Sequence, residues 1–164
     1  MTEPAAPMPP APPPPAAGYA PPSGPSGPRA NFGQRLVAAI VDAIIVTAVT
    51  WALILVLAGI ADEGGAIVAY LLALVFGVGY YAYLEGGATG QTLGKKVMSI
   101  RVIDANTGGS IGYGRGVGRY FARWISSIPC LLGYFWMLWD REKQTWHDKI
   151  CSCVVVPTDA YPVQ

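Results

Sequence analysis

Two long apolar runs set the pattern of the chain. Leu36 to Ile60 covers 25 residues with one charge, Asp42, and Ala66 to Leu84 covers 19 residues with none. A bilayer core about 30 Å thick takes roughly 20 helical residues, so both runs predict spanning helices. The connection Ala61 to Gly65 is short and acidic, with Asp62 and Glu63, which makes the pair an antiparallel hairpin. Tyr80, Tyr81 and Tyr83 gather at one end of the second span, where amphipathic rings prefer the membrane interface. Small residues recur at every fourth position, Ala39, Ala43 and Thr47 on the first span and Ala69, Ala73 and Gly77 on the second. Such spacing lets helices approach closely in lipid.

The pattern changes after Leu84. Val97 to Asp104 is rich in β-branched residues and predicts a strand; Asn106-Thr107-Gly108-Gly109 is a turn signal, and Ser110 to Tyr113 is the expected returning strand of a hairpin. Ile150 to Val156 is a late strand candidate, stopped by Pro157. A two-stranded hairpin is marginal in water, so the late strand is expected to add a third. Between them Arg115, Arg119 and Arg123 fall every four residues among Val117, Tyr120, Phe121, Trp124 and Ile125. This reads as a basic amphipathic helix lying at an interface. Ile125 to Trp139 is apolar but only 15 residues long, with Pro129 and Gly133 inside it; it predicts a re-entrant or interfacial segment bent near Pro129. The fold class is therefore mainly α and membrane-bound: a two-helix transmembrane hairpin, an interfacial or re-entrant helical segment, and a small cytoplasmic β-hairpin or three-stranded sheet.

Composition sharpens this picture. Hydrophobic residues make up 52% of the 164 and charged ones 13%, against about 25% charged in an ordinary soluble domain. A soluble enzyme of ordinary composition is excluded, and a net charge of +1 gives no reason to expect nucleic acid. Twelve of the 15 prolines lie in the first 28 positions, so residues 1–30 read as a disordered proline-rich tail, 31–156 as the membrane domain and 157–164 as a short C-terminal tail. The tail lacks the basic start and apolar run of a secretory signal peptide. Arg29 and Arg35 precede the first span, and Lys95, Lys96, Arg101, Arg115, Arg119 and Arg123 follow the second. The positive-inside bias then places the N-terminus and the segment after Leu84 in the cytoplasm.

No catalytic, cofactor or metal site is expected. The glycine-rich stretch Gly86 to Lys96 fails the phosphate-loop spacing, because Thr89 stands where the first glycine is needed; Gly112, Gly114, Gly116 and Gly118 fail the dinucleotide spacing. His147 is the single histidine, and with Cys151 and Cys153 it falls short of a four-ligand zinc set. Cys130 is expected to be an apolar filler of the membrane segment. Asp42 carries more information. It lies about 10 Å along the first span, where a carboxylate costs roughly 2.5–3.5 kcal/mol on insertion scales. Arg35 is two turns earlier but tilts away toward the cytoplasm. A partner from another element, such as Arg119, Arg123 or Lys149, or a coordinated cation, is expected. A structural ion pair or a hydrogen-bonded acid is the plain alternative.

Three motifs then resemble a known family. Gly33-Gln34-Arg35-Leu36-Val37-Ala38 leading to Val41-Asp42, Gly90-Gln91-Thr92-Leu93-Gly94-Lys95-Lys96 followed by Ile100-Arg101-Val102, and Trp146-His147-Asp148-Lys149 followed by Val154-Val155-Val156 are similar, in order and spacing, to the signatures of the RDD family of bacterial membrane proteins. The resemblance covers roughly residues 31–156. The family is named for one arginine and two aspartates; Arg35, Asp42 and Asp148 match, with Asp140 as the alternative third. Arg119, Arg123, Lys149, Gly94 and Lys95 are secondary candidates. The resemblance implies a multi-pass protein of the bacterial plasma membrane, often suggested to transport. A cation, a proton or a small ligand is then the expected cargo, and Asp42 the residue to carry it. Two helices cannot enclose a pore, so a homo-oligomer or a partner membrane protein is expected. A structural or regulatory membrane module is the competing class, and an enzyme is not expected.

Overall fold

The structure, a computed structural model, describes residues 25–60 and 63–163. The proline-rich segment up to residue 24 and the acidic connection at Ala61 and Asp62 lie outside the described residues. The two predicted spans are α1 (Phe32–Ile60) and α2 (Glu63–Gly86). At about 1.5 Å per residue each is longer than a bilayer core. Asn31 starts α1 reciprocally: its side chain accepts the Gln34 N–H at 2.8 Å, and the Gln34 side chain accepts the Asn31 N–H at 3.0 Å. Only 6% of the most apolar stretch of α1 and 22% of that of α2 is buried. A core helix of a soluble protein would be covered on most sides. These two present Leu, Ile and Val outward instead.

The small-residue stripe on α2 behaves as expected, with Ala69, Ala73 and Gly77 all buried. The stripe expected on α1 does not: Ala39, Ala43 and Thr47 are exposed, and Ala38 and Asp42 face inward. The correction has a clear cause. Residues 93 and 94 pack under α1 and turn the Ala38–Asp42 edge toward themselves, which leaves the alanine edge looking into an open cleft.

After α2 come a short helix α3 (Leu93–Val97), strand β1 (Ile100–Asp104), helix α4 (Gly112–Ser127), a turn of helix α5 (Leu132–Phe135) running into a 3₁₀ turn at Trp136–Leu138, helix α6 (Trp146–Ile150) and strand β2 (Cys153–Pro157). The sheet has two strands. β1 and β2 pair antiparallel, Ile100 with Pro157 through Asp104 with Cys153. The late strand is thus the partner of the first, but the expected hairpin and third strand do not form. Asp104 accounts for the difference. Its side chain accepts the N–H groups of Asn106 and Thr107 and pairs with Arg115, so the turn feeds α4 rather than a returning strand. Both edges of the small sheet are covered: Val102 N–H donates to Gly90 O at 2.8 Å, and Ala30 N–H donates to Val155 O at 2.9 Å.

α4 lies against α2, close enough that a Cβ on Gly116 would sit 2.8 Å from Ala82 O. Its apolar face points outward, as an interfacial helix requires, but its basic face meets protein rather than water or headgroups. Arg119 is 1% exposed, whereas Phe121, Trp124 and Ile125 are open. The chain then reverses over Ile128–Leu131, with Cys130 and Leu131 in the left-handed region (φ 49° and 63°), as the Pro129 bend predicts. Cys130 is exposed rather than a filler. Since β1 and β2 pair, α4 through α6 leave and return to the same end of the hairpin.

Candidate functional site

The end of the hairpin where α1 begins and α2 finishes gathers most of the buried charge. Asp42 is turned inward by α3. Its carboxylate accepts three neutral donors: the Tyr80 hydroxyl at 2.7 Å, the Thr92 hydroxyl at 2.6 Å and the Gly94 N–H at 2.8 Å. The expected charged partner is therefore corrected. Neither Arg119, Arg123 nor Lys149 pairs with Asp42. Thr92 also caps α3 by accepting the Lys95 N–H at 3.3 Å. Gly94 is required here by close approach: an added Cβ would lie 2.1 Å from Ala38 O and 2.9 Å from the Asp42 carboxyl carbon.

Beside this clamp runs an ion network. Glu85, fully buried at the end of α2, takes Lys95, Arg119 and Arg123. Arg119 Nη1 lies 2.9 Å from Glu85 Oε2, and its other terminal nitrogen pairs with Asp148. Asp148, equally buried, takes Arg35 Nη2 at 2.5 Å and the Thr145 N–H at 3.0 Å. The last contact is half of a capping box, in which Thr145 in turn accepts the Asp148 N–H, and it is this box that aims Asp148 into the network. Arg123 lies over the Tyr81 ring at 4.1 Å. Two of the three tyrosines expected at the interface, Tyr80 and Tyr81, are thus used inside the protein. Tyr83 is exposed and stacks on Tyr113.

The electrostatics follow from burial. Burial alone would push Asp148 up, but Arg35 and Arg119 hold its carboxyl well below the usual range. Burial pushes the Lys95 ammonium down to about 8, against the pull of Glu85. Burial also holds His147 well below its usual value. It stays neutral between Ser126 Oγ at 3.1 Å from Nδ1 and Thr145 Oγ1 at 3.0 Å from Nε2.

A cleft of about 400 Å³ opens between α1, α4 and the α5 region. Arg35, Lys95, Arg119 and Arg123 line it, with Asp42 and His147; Ala39 and Ala43 form its α1 wall, and Leu36, Leu131 and Phe135 its apolar rim. Behind this lining Glu85 and Asp148 supply counter-charge. Even with Asp42 ionised, four cations face three carboxylates, so the cleft keeps a positive excess. Arg119 Nε is buried without a hydrogen-bond partner.

The remaining predicted residues lie apart. Asp140 pairs with Lys149 at 2.5 Å on the surface, outside the network. Cys151 and Cys153 are buried in the apolar cluster under the sheet, and burial pushes Cys153 up to about 12. Among the described residues no three His, Cys, Asp or Glu side chains gather as a metal-binding set. The central residue that sequence reasoning missed is Glu85. It follows directly on the second apolar run, where a charge reads as the exit from a span.

The chain matches the RDD family over residues 29–152. It belongs to that family. It is also similar to the proline-rich antigen of Mycobacterium leprae, 40% identical over 54% of this chain and 35% of that protein. The proline-rich antigen homolog of Mycobacterium tuberculosis H37Rv is 38% identical over 57% of this chain and 40% of its own length. A Bacillus subtilis protein named uncharacterized protein YxaI is 37% identical over 52% of this chain and 56% of its own. The chain thus spans well under two thirds of these relatives. No solved structure matches it. In this RDD chain Arg35 and Asp148 touch directly, while Asp42 sits in the adjoining clamp and meets neither.

Proposed function

We propose that this RDD chain is a multi-pass protein of the bacterial plasma membrane, with its N-terminus in the cytoplasm. It works in transport as a homo-oligomer or with a partner membrane protein, and the ligand its cleft handles is a small anionic group rather than a metal cation. The observation that carries this is the lining: four cations face the cleft, and the acid expected to bind a cation, Asp42, is already occupied by three neutral donors. The Arg35–Asp148 contact supports Asp148 over Asp140 as the third signature residue. The test is phosphate uptake by vesicles holding the purified chain, together with its thermal stability in sodium phosphate against sodium chloride at matched ionic strength. Phosphate should stabilise the protein and enter the vesicles. Flux driven by sodium or protons alone, with no anion effect, would point back to a cation carrier.

A second reading, a structural or regulatory membrane module without transport, is favoured by one observation: the network is almost completely satisfied internally, with Glu85 and Asp148 both at 0% exposure. A stable complex with another membrane protein and no flux of any ion would support it.

A further inference from the structure

We infer that the anionic group held by the cleft is the phosphate of a membrane lipid, entering sideways from the leaflet with its tail lying on the apolar rim. The inference rests on the anion-binding reading above and narrows it to one source. Three features of the cleft carry it. The first is charge. Arg35 from α1, Lys95 from α3, and Arg119 and Arg123 from α4 line the cleft with a positive excess. Arg35 and Arg119 spend both terminal nitrogens inside the network, whereas Arg123 reaches Glu85 through Nη2, and a guanidinium fork matches phosphate oxygens in pairs. Arg119 Nε–H, behind this lining, is buried without a hydrogen-bond partner.

The second is depth. Along α1 the cleft runs from Arg35 in the first turn to Ala43. Eight residues at about 1.5 Å each make roughly 12 Å. That is enough to pass from the headgroup layer, roughly 5–8 Å thick on each side, into the first part of the acyl region. The third is the mouth. Leu36, Leu131 and Phe135 line the cleft and are also 39–49% exposed. A free phosphate gains nothing from such a rim, whereas an acyl chain buries against it at about 25 cal/mol per Å². Ala39 and Ala43 leave the α1 wall without projecting side chains. The same geometry explains why α4 turns its arginines inward and its aromatic residues outward: the headgroup is met inside the fold and the tails outside.

The experiment uses the full chain, stripped of lipid in detergent and offered phosphatidylglycerol, phosphatidylcholine, inorganic phosphate or glycerol phosphate in turn. Bound ligand is counted by native mass spectrometry. Phosphatidylglycerol should be retained at least about tenfold over phosphatidylcholine, because the two share the phosphate but choline brings a like charge toward Arg35, Lys95, Arg119 and Arg123. Arg123→Gln should lower that retention. Since Arg123 also holds Glu85, a second variant leaves the network untouched: Ala43→Trp fills the cleft from an exposed position on α1. It should keep the wild-type melting temperature and lose phosphatidylglycerol. Equal retention of the two lipids, or full retention by Ala43→Trp, overturns the inference. If inorganic phosphate or glycerol phosphate binds and phosphatidylglycerol does not, the lipid is wrong and the anion cleft stands. If none of the anions binds, both fall.

Discussion

Arg35 and Asp148 stand 113 residues apart in the chain, yet Arg35 Nη2 lies 2.5 Å from Asp148 Oδ2. The contact ties the first turn of a membrane helix to a five-residue helix near the other end of the chain. Arg35 also donates to Lys143 O at 3.0 Å, so one guanidinium fixes both the loop before α6 and the helix itself. Asp148 in turn shares Arg119 with Glu85, and α1, α2, α3, α4 and α6 are thereby linked.

Glu85 is the most exacting member of the network. Glu85→Gln leaves Lys95, Arg119 and Arg123 without their shared carboxylate. Removing one partner of a buried ion pair costs about 3–5 kcal/mol, so the variant should melt far below wild type in detergent or fail to accumulate. Adding Lys95→Met should restore part of the loss. A Glu85→Gln protein with the wild-type melting temperature would show that the network contributes nothing to stability.

Asp42 is predicted to act as an acceptor. Asp42→Leu strands the Tyr80 and Thr92 hydroxyls and the Gly94 N–H, at about 1–3 kcal/mol for each orphan that stays buried. Asp42→Asn keeps one oxygen and should fall between Leu and wild type in melting temperature. Gly94→Ala should match the Leu variant, since its Cβ collides with Ala38 O. Asn and Leu variants of equal stability would refute the acceptor role.

Acid should destabilise the domain in two steps. His147 is held neutral well below its ordinary 6.5. Below that pH the unfolded chain takes up a proton that the folded chain refuses, and stability falls. Asp148 keeps its charge well below 3.8; its contribution is present above that value and is lost as pH falls toward the folded-state value. His147→Gln should flatten the first step, leave the second, and be read as melting temperature against pH. An unchanged first step would show that another group titrates there.

Thiol labelling tests topology. The native Cys151 and Cys153 are buried and should resist a maleimide from either face. In a Cys130→Ser background, Lys96→Cys and Glu142→Cys place thiols at exposed positions. Both should react with a membrane-impermeant reagent only after the inner face is opened. Labelling of both from outside would reverse the orientation, and labelling on opposite faces would be incompatible with the β1–β2 pairing.

The boundary of the proline-rich tail can be set by truncation. Removing residues 1–24 should leave the melting temperature unchanged. Removing residues 1–30 should lower it, because Ala30 is buried and its N–H donates to Val155. Equal stability of the two truncations would show that this edge contact is worth little.

The two long apolar helices, the late strand and the pairing of Arg35 away from Asp42 were all legible in the sequence, because length, β-branching and the tilt of helical side chains are local properties. The direction of α4 was not. An amphipathic pattern separates two faces but does not say which one meets protein, and in lipid the apolar face is content outside. Asp42's partners were only half visible: Thr92 and Gly94 lie in the second family motif, but like Tyr80 they carry no charge, so nothing in the pattern ties them to Asp42.

The pairing of β1 with β2 also has a consequence for the growing chain. Glu85 is made 34 residues before Arg119, and Arg35 waits 113 residues for Asp148 and longer for the strand at Cys153–Pro157. At roughly 5–20 residues per second that interval is several seconds. During it the first hairpin carries Arg35 without Asp148 and Glu85 with Lys95 alone of its three cations. Assembly is therefore an event of late synthesis, and a nascent chain stopped before residue 148 leaves Arg35 and Arg119 without Asp148.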